Sequence, residues 1–154
     1  MDVKKRKLDP DVLMPELIEL LNAGAQPTII ISGGSMLPFL APGRDSVTLR
    51  TVDRELSRGD IVFYRRDGGR YILHRIIRVD GDRLWLAGDA QDETEAMSRE
   101  RVFAYVTQAV RKGAVQRPGR PVWDFFANVW PRFIGSRRRL IGAYSKLRGK
   151  FDRV

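Results

Sequence analysis

Between residues 27 and 110, Gly, Pro and Asp cut the chain into short runs rich in β-branched and aromatic residues, and this punctuation constrains the fold most. The runs are TIIIS (28–32), SVTLR (46–50), DIVFY (60–64), RYILHRIIRV (70–79), RLWLA (83–87) and RVFAYVTQAV (101–110). Six short strands separated by turn signals predict a mainly β, mostly antiparallel core that closes part of the way into a barrel or sandwich. A length of 154 residues fits one domain that buries a core of its own.

The flanks read differently. Val12, Leu13, Leu17, Ile18, Leu20 and Leu21 recur at helical spacing and Gly24 supplies a stop, so residues 1–26 form an N-terminal amphipathic helix segment ahead of the core at 27–110. Residues 111–154 begin with a basic linker, RKGAVQRPGRP. Two apolar series at helical spacing follow it, Val122, Phe125, Phe126, Val129, Trp130, Phe133 and Ile134, then Leu140, Ile141, Tyr144, Leu147 and Phe151. They predict two amphipathic C-terminal helices, with Pro131 kinking or ending the first.

Charge is divided just as unevenly. The formal net charge is +9. Residues 111–154 hold 12 Lys/Arg against 2 Asp/Glu, while residues 1–110 hold 16 against 17, so the tail carries the whole excess. Trp and Phe beside Arg and Lys in residues 121–154 suit an anionic membrane surface, or a segment that packs its rings on the core and leaves its cations in solvent. Nucleic acid ranks below both, because no readable motif accompanies the charge. No run reaches the roughly 18 apolar residues that would span a bilayer. Asp9, Asp11, Glu16 and Glu19 break up what would be the apolar part of a signal peptide. The expectation is a cytoplasmic or peripheral membrane protein. With no cysteine and one histidine, disulfides, thiol catalysis and Cys- or multi-His metal sites are excluded, and no cofactor is implied.

The loop ISGGSMLPFLAPGRDSV follows the first run. Ser35 after Gly33 and Gly34 is placed as an exposed nucleophile, since the glycines let backbone approach a substrate and neighbouring N–H groups can cradle an oxyanion. A serine needs a base at neutral pH. His74 lies in the longest β run, where period-2 alternation puts it on an apolar face with Ile72 and Ile76. Burial there keeps the ring neutral, whether as a general base or as a hydrogen-bonded core histidine. In LAGDAQDETE, Asp89, Asp92, Glu93 and Glu95 crowd a turn, and one of them can orient the imidazole.

Together these segments resemble the signal peptidase I family. SGGSMLPFL is similar to its Ser-Met-x-Pro nucleophile box, RGDIVFY to its Arg-Gly-Asp strand start, LHRIIRV to the general-base box of its histidine-type branch, and AGDAQ to its terminal Gly-Asp-Asn box. The resemblance spans residues 31–91. It implies a signal-peptidase-like fold with Ser35 as nucleophile, His74 as general base, Met36 shaping the substrate pocket and Pro38 setting the loop. Gly33 stands where some members carry an oxyanion-hole serine, which leaves backbone N–H groups, that of Ser35 foremost. Asp60 is implied as turn architecture. Ala90 and Gln91 replace the asparagines, and the third acid is Asp89 or Glu95, with Asp92 behind. The implied activity is a serine endopeptidase that removes a signal or leader segment from a precursor after small residues, the precursor binding as an extended peptide. The family's transmembrane anchor has no counterpart in this sequence. A self-cleaving regulator related to repressor proteases and an inactive β module that binds peptide or membrane are the alternatives.

Overall fold

The structure, a computed structural model, describes residues 10–151, with side chains described for residues 14–146. The basic N-terminal run and the side chains of Val12, Leu13, Leu147 and Phe151 lie outside the described residues.

The chain is mainly β, an antiparallel eight-stranded sheet curled into a half-barrel. Its strands are β1 (Thr28–Ile30), β2 (Ser46–Thr51), β3 (Ile61–Arg65), β4 (Tyr71–Asp80), β5 (Arg83–Ala87), β6 (Glu95–Ser98), β7 (Val102–Arg111) and β8 (Ala114–Gln116). The order across the sheet is β1-β2-β7-β3-β4-β5-β6, with β8 paired to β7. All six expected runs are strands. Two further strands arise where turn and linker were expected. Residues 95–98 add β6 at the far edge, and residues 114–116 fold back on β7 through a two-residue turn, Lys112–Gly113, both at positive φ. The segment 111–120 is therefore in part a hairpin rather than a free linker.

The N-terminal helix α1 (Pro10–Asn22) buries Met14, Leu17 and Leu21, spaced three and four apart, in one core cluster with Val47, Leu49, Ala104 and Val106 of the sheet. At the other end α2 (Pro121–Asp124) runs into one π-helical turn (Phe125–Val129) and one 3-10 turn (Trp130–Phe133), and α3 (Arg137–Phe151) follows. The first expected C-terminal helix is thus short and irregular, with Pro131 inside its closing 3-10 turn. Trp123, Phe126, Ala127 and Trp130 belong to the core built by α1, β1, β2 and β7. Phe39, in the loop that carries Ser35, packs edge-on to Trp123 at 5.7 Å and against Phe126 at 4.9 Å between ring centres. A second cluster on the other face holds Val62, Tyr64, Ile76, Leu84, Leu86 and Met97, with Ile72 packed against it. No helix of the described residues is long and apolar enough to cross a membrane.

Candidate active site

Ser35 sits in the turn after β1, half-buried, and His74 sits in β4, only 3% exposed. Both line one cleft of about 250 Å³, together with Ile29–Ser32, Met36, Tyr71–Leu73 and Gln91. Ser35 Oγ makes no direct hydrogen bond to the imidazole. Gly33 opens the turn at φ +73°, a left-handed conformation that favours glycine. The Ser35 N–H has no acceptor among the described residues. The Leu37–Pro38 peptide bond is cis, and Met36 is buried beneath the loop.

The loop after β5 holds the Ser35 turn in place. Ala90 N–H donates to the Ser35 carbonyl at 2.9 Å. A Cβ at Gly88 would lie 2.3 Å from that same oxygen, so only glycine lets the two backbones approach this closely. Asp89 is fully buried and takes two hydrogen bonds from Arg75, Nε to Oδ1 and Nη2 to Oδ2, each 2.9 Å. Arg75 follows His74 in sequence and also donates to the Gly59 carbonyl at 2.8 Å. The ion pair therefore ties the histidine strand to the loop beneath Ser35. Asp89 serves Arg75 and has no hydrogen bond to His74. Asp92 accepts from the Arg137 N–H at 2.9 Å, at the start of α3, and likewise has no hydrogen bond to His74.

Of the three candidate acids, Glu95 is the one connected to His74, and the connection runs through Tyr64. In the β3–β4 register Val62 faces His74 and Tyr64 faces Ile72, which makes Tyr64 and His74 diagonal neighbours on one face. Tyr64 Oη lies 3.1 Å from His74 Nδ1 and donates a short hydrogen bond to Glu95 Oε1. Burial, with the Glu95 carboxylate next, pushes the Tyr64 phenol up, so it keeps its proton. That single proton goes to Glu95, and the phenol oxygen then accepts from Nδ1–H. The tautomer is fixed with Nε2 unprotonated. Burial opposes the charge on Glu95, but hydrogen bonds from Arg66 and Tyr64 hold it below the usual carboxylate range. Arg66 grips both carboxylate oxygens, Nε to Oε2 at 3.0 Å and Nη2 to Oε1 at 2.7 Å. Burial pulls His74 down to about 4; Glu95 works in the opposite direction and Arg66 adds to the depression. The ring is neutral at pH 7.

Sequence reasoning missed Tyr64, Arg66 and Asp45. The signal for Tyr64 was available, since an antiparallel pairing of 60–64 with 70–79 sets a phenol beside the imidazole. Asp45 is fully buried, accepts from the Ala41 and Lys112 N–H groups at 2.8 and 3.0 Å, and pairs with Arg44. It pins the far end of the Ser35 loop to the β7–β8 hairpin, and Arg111 adds a bond to the Phe39 carbonyl at 2.7 Å. Asp60 accepts from the Ser57 N–H at 2.9 Å and pairs with Arg54, as turn architecture requires. No group of three or more His, Cys, Asp or Glu among the described residues is arranged to hold a metal ion.

Two unpaired strand edges border the cleft. Among the described residues β1 pairs only with β2, and β4 pairs with β5 only from Arg75 onward, so residues 71–74 have no strand partner on that side. A scan against known protein families and a search of curated proteins find no match to this chain.

Proposed function

We propose that the chain is a serine endopeptidase that uses a Ser35–His74 pair to remove a signal or leader segment from a precursor. The observation that carries this is the orientation chain from His74 Nδ1 through Tyr64 to Glu95, which leaves a neutral, unprotonated Nε2 for the cleft shared with Ser35. A core histidine needs one partner. This one has a partner oriented by a paired carboxylate, and it shares a cleft with a serine whose backbone N–H has no acceptor among the described residues.

His74 Nε2 takes the Ser35 hydroxyl proton as Oγ attacks the scissile carbonyl, and the oxyanion is met by the Ser35 N–H. The positive charge that develops on the imidazole is stabilised by Glu95 through the polarised Tyr64 hydroxyl, the part a directly bonded carboxylate plays in a Ser-His-acid triad. The imidazolium then protonates the leaving amine. Water deacylates Ser35 with His74 again as base. The substrate lies extended, its main chain pairing with the free edges of β1 and β4. The small volume of the cleft and its lining by Ile29, Ile31, Met36 and Leu73 favour small side chains next to the cut. The resemblance of residues 31–91 to signal peptidases supports the same chemistry. Treatment with a fluorophosphonate probe tests it: labelling at Ser35, lost in His74→Ala, is expected. An unlabelled Ser35 in folded protein contradicts it.

A further inference from the structure

The C-terminal segment divides its aromatic residues between two surfaces. Trp123, Phe126 and Trp130 turn inward and complete the core. Phe125, Val129 and Phe133, each four residues from the next, turn outward and are 43%, 39% and 43% exposed. On α3, Leu140 and Tyr144 are 40% and 56% exposed. Phe125, Leu140 and Tyr144 border one groove of about 450 Å³, roughly the size of a ligand site. Leu37, Pro38, Phe126 and Trp130 also line it, with the cations Arg111 and Lys112 and with Arg44, which is paired with Asp45.

The surrounding charge is one-sided. Between residues 111 and 146 there are nine Lys/Arg and a single acid, Asp124. Arg111, Lys112, Arg139 and Lys146 form no ion pair among the described residues. Three arginines, 137–139, stand in the first turn of α3 with no acid there, at the end where the helix dipole disfavours cations. Arg137 is buried and used by the loop beneath Ser35, but Arg138 and Arg139 are exposed. An exposed apolar surface on a segment with so large a cationic excess calls for an occupant that is apolar and anionic.

We infer that this face docks on an anionic lipid surface, with the groove and the outward rings taking apolar chain and the surrounding Lys and Arg meeting headgroups. A second copy of the chain fits poorly, because a two-fold interface would set these cations against their own kind. Nucleic acid matches the charge but not the aliphatic Val129 and Leu140. The floor of the groove at Leu37 and Pro38 is part of the nucleophile loop, so a bound bilayer would lie beside the proposed catalytic turn. The inference does not rest on the peptidase reading, and its test needs no catalysis.

Deleting the segment is not a usable control, since it removes Trp123, Phe126 and Trp130 from the core. Point variants of the whole chain are. Co-sedimentation with vesicles of phosphatidylglycerol and phosphatidylcholine in equal parts is compared with pure phosphatidylcholine, at low and high salt. Binding to the anionic vesicles only, weakened by salt, is expected. Leu140→Asp with Tyr144→Ser lowers it about tenfold or more through lost apolar transfer. Arg139→Glu with Lys146→Glu, both at exposed positions, lowers it by at least as much and covers the case in which the first pair misfolds. Equal binding to neutral vesicles, no binding at low salt, or charge variants that bind as wild type overturn the inference. A lipid-free dimer that the same substitutions dissociate overturns it too.

Discussion

At the scale of single residues, the proposed chemistry depends on which nitrogen of His74 carries the proton. Tyr64 decides that without lining the cleft, so Tyr64→Phe is expected to lower kcat by on the order of tenfold to a hundredfold while KM stays close to wild type. Steady-state kinetics on a cleaved peptide checks it; a change in KM alone would place Tyr64 in binding. The pH profile gives a second test. His74 is held at about 4 against an ordinary 6.5, so the acid limb of kcat/KM should fall near 4 and not near 6.5. Glu95→Gln removes the group that raises His74, so that limb moves lower still while kcat drops. Stability follows the same sign. A base whose folded value is depressed contributes fully above its unfolded value and loses that contribution as pH falls from 6.5 toward 4, here about 3 kcal/mol. Glu95, held below its ordinary value, also contributes above that value and loses its contribution as pH falls further. Both terms act toward acid unfolding, which denaturant titrations across this range would register.

At the scale of elements, the loop from Gly88 to Asp92 is where the parts meet. It touches Ser35 through Ala90, the His74 strand through Asp89 and Arg75, and the C-terminal segment through Trp130 and Arg137. Gly88→Ala forces the Ser35 carbonyl away, so both the melting temperature and activity should fall steeply. Asp89→Asn strips the partner from a fully buried guanidinium and is expected to cost about 3–5 kcal/mol, more than Glu95→Gln at its half-exposed site. A Glu95→Gln that unfolds the protein as readily as Asp89→Asn would reverse this assignment. Arg137 donates to the Gly88 and Gln91 carbonyls at 2.9 and 3.1 Å, while its Nε and Nη2 have no partner among the described residues. The six β runs were legible because each carries several apolar residues between turn signals. β6 was not, because Glu95, Ala96, Met97 and Ser98 offer one buried apolar side chain, Met97, in an acidic context that reads as a turn. β8 is three residues long and exists only as the return arm of a hairpin. Ser35 and His74 were legible as candidates from residue type and local pattern. The choice among Asp89, Asp92 and Glu95 was not, because it depends on which carboxylate an arginine claims: Arg75 takes the first, the start of α3 the second, and Arg66 steers the third toward Tyr64.

At the scale of the whole molecule, the charge division between residues 1–110 and 111–154 corresponds to two surfaces and not to two bodies. The inward rings of the tail are part of the same core as α1 and the nucleophile loop, and three such side chains, each worth about 1.5–3 kcal/mol when buried, rival the net stability of a typical domain. Truncation before residue 121 should therefore unfold the sheet, observable as loss of a cooperative thermal transition. What remains outward, Phe125 through Tyr144 with the exposed arginines, is the surface proposed to dock on anionic lipid. In the proposed peptidase, the cleft between β1 and β4 takes the substrate. The most direct test of that second role is cleavage of synthetic peptides carrying Ala or Gly before the scissile bond, by wild type, Ser35→Ala and His74→Ala, each confirmed folded. Cleavage by wild type and its loss by at least about a thousandfold in both variants is predicted. Equal rates in all three would contradict the Ser35–His74 mechanism.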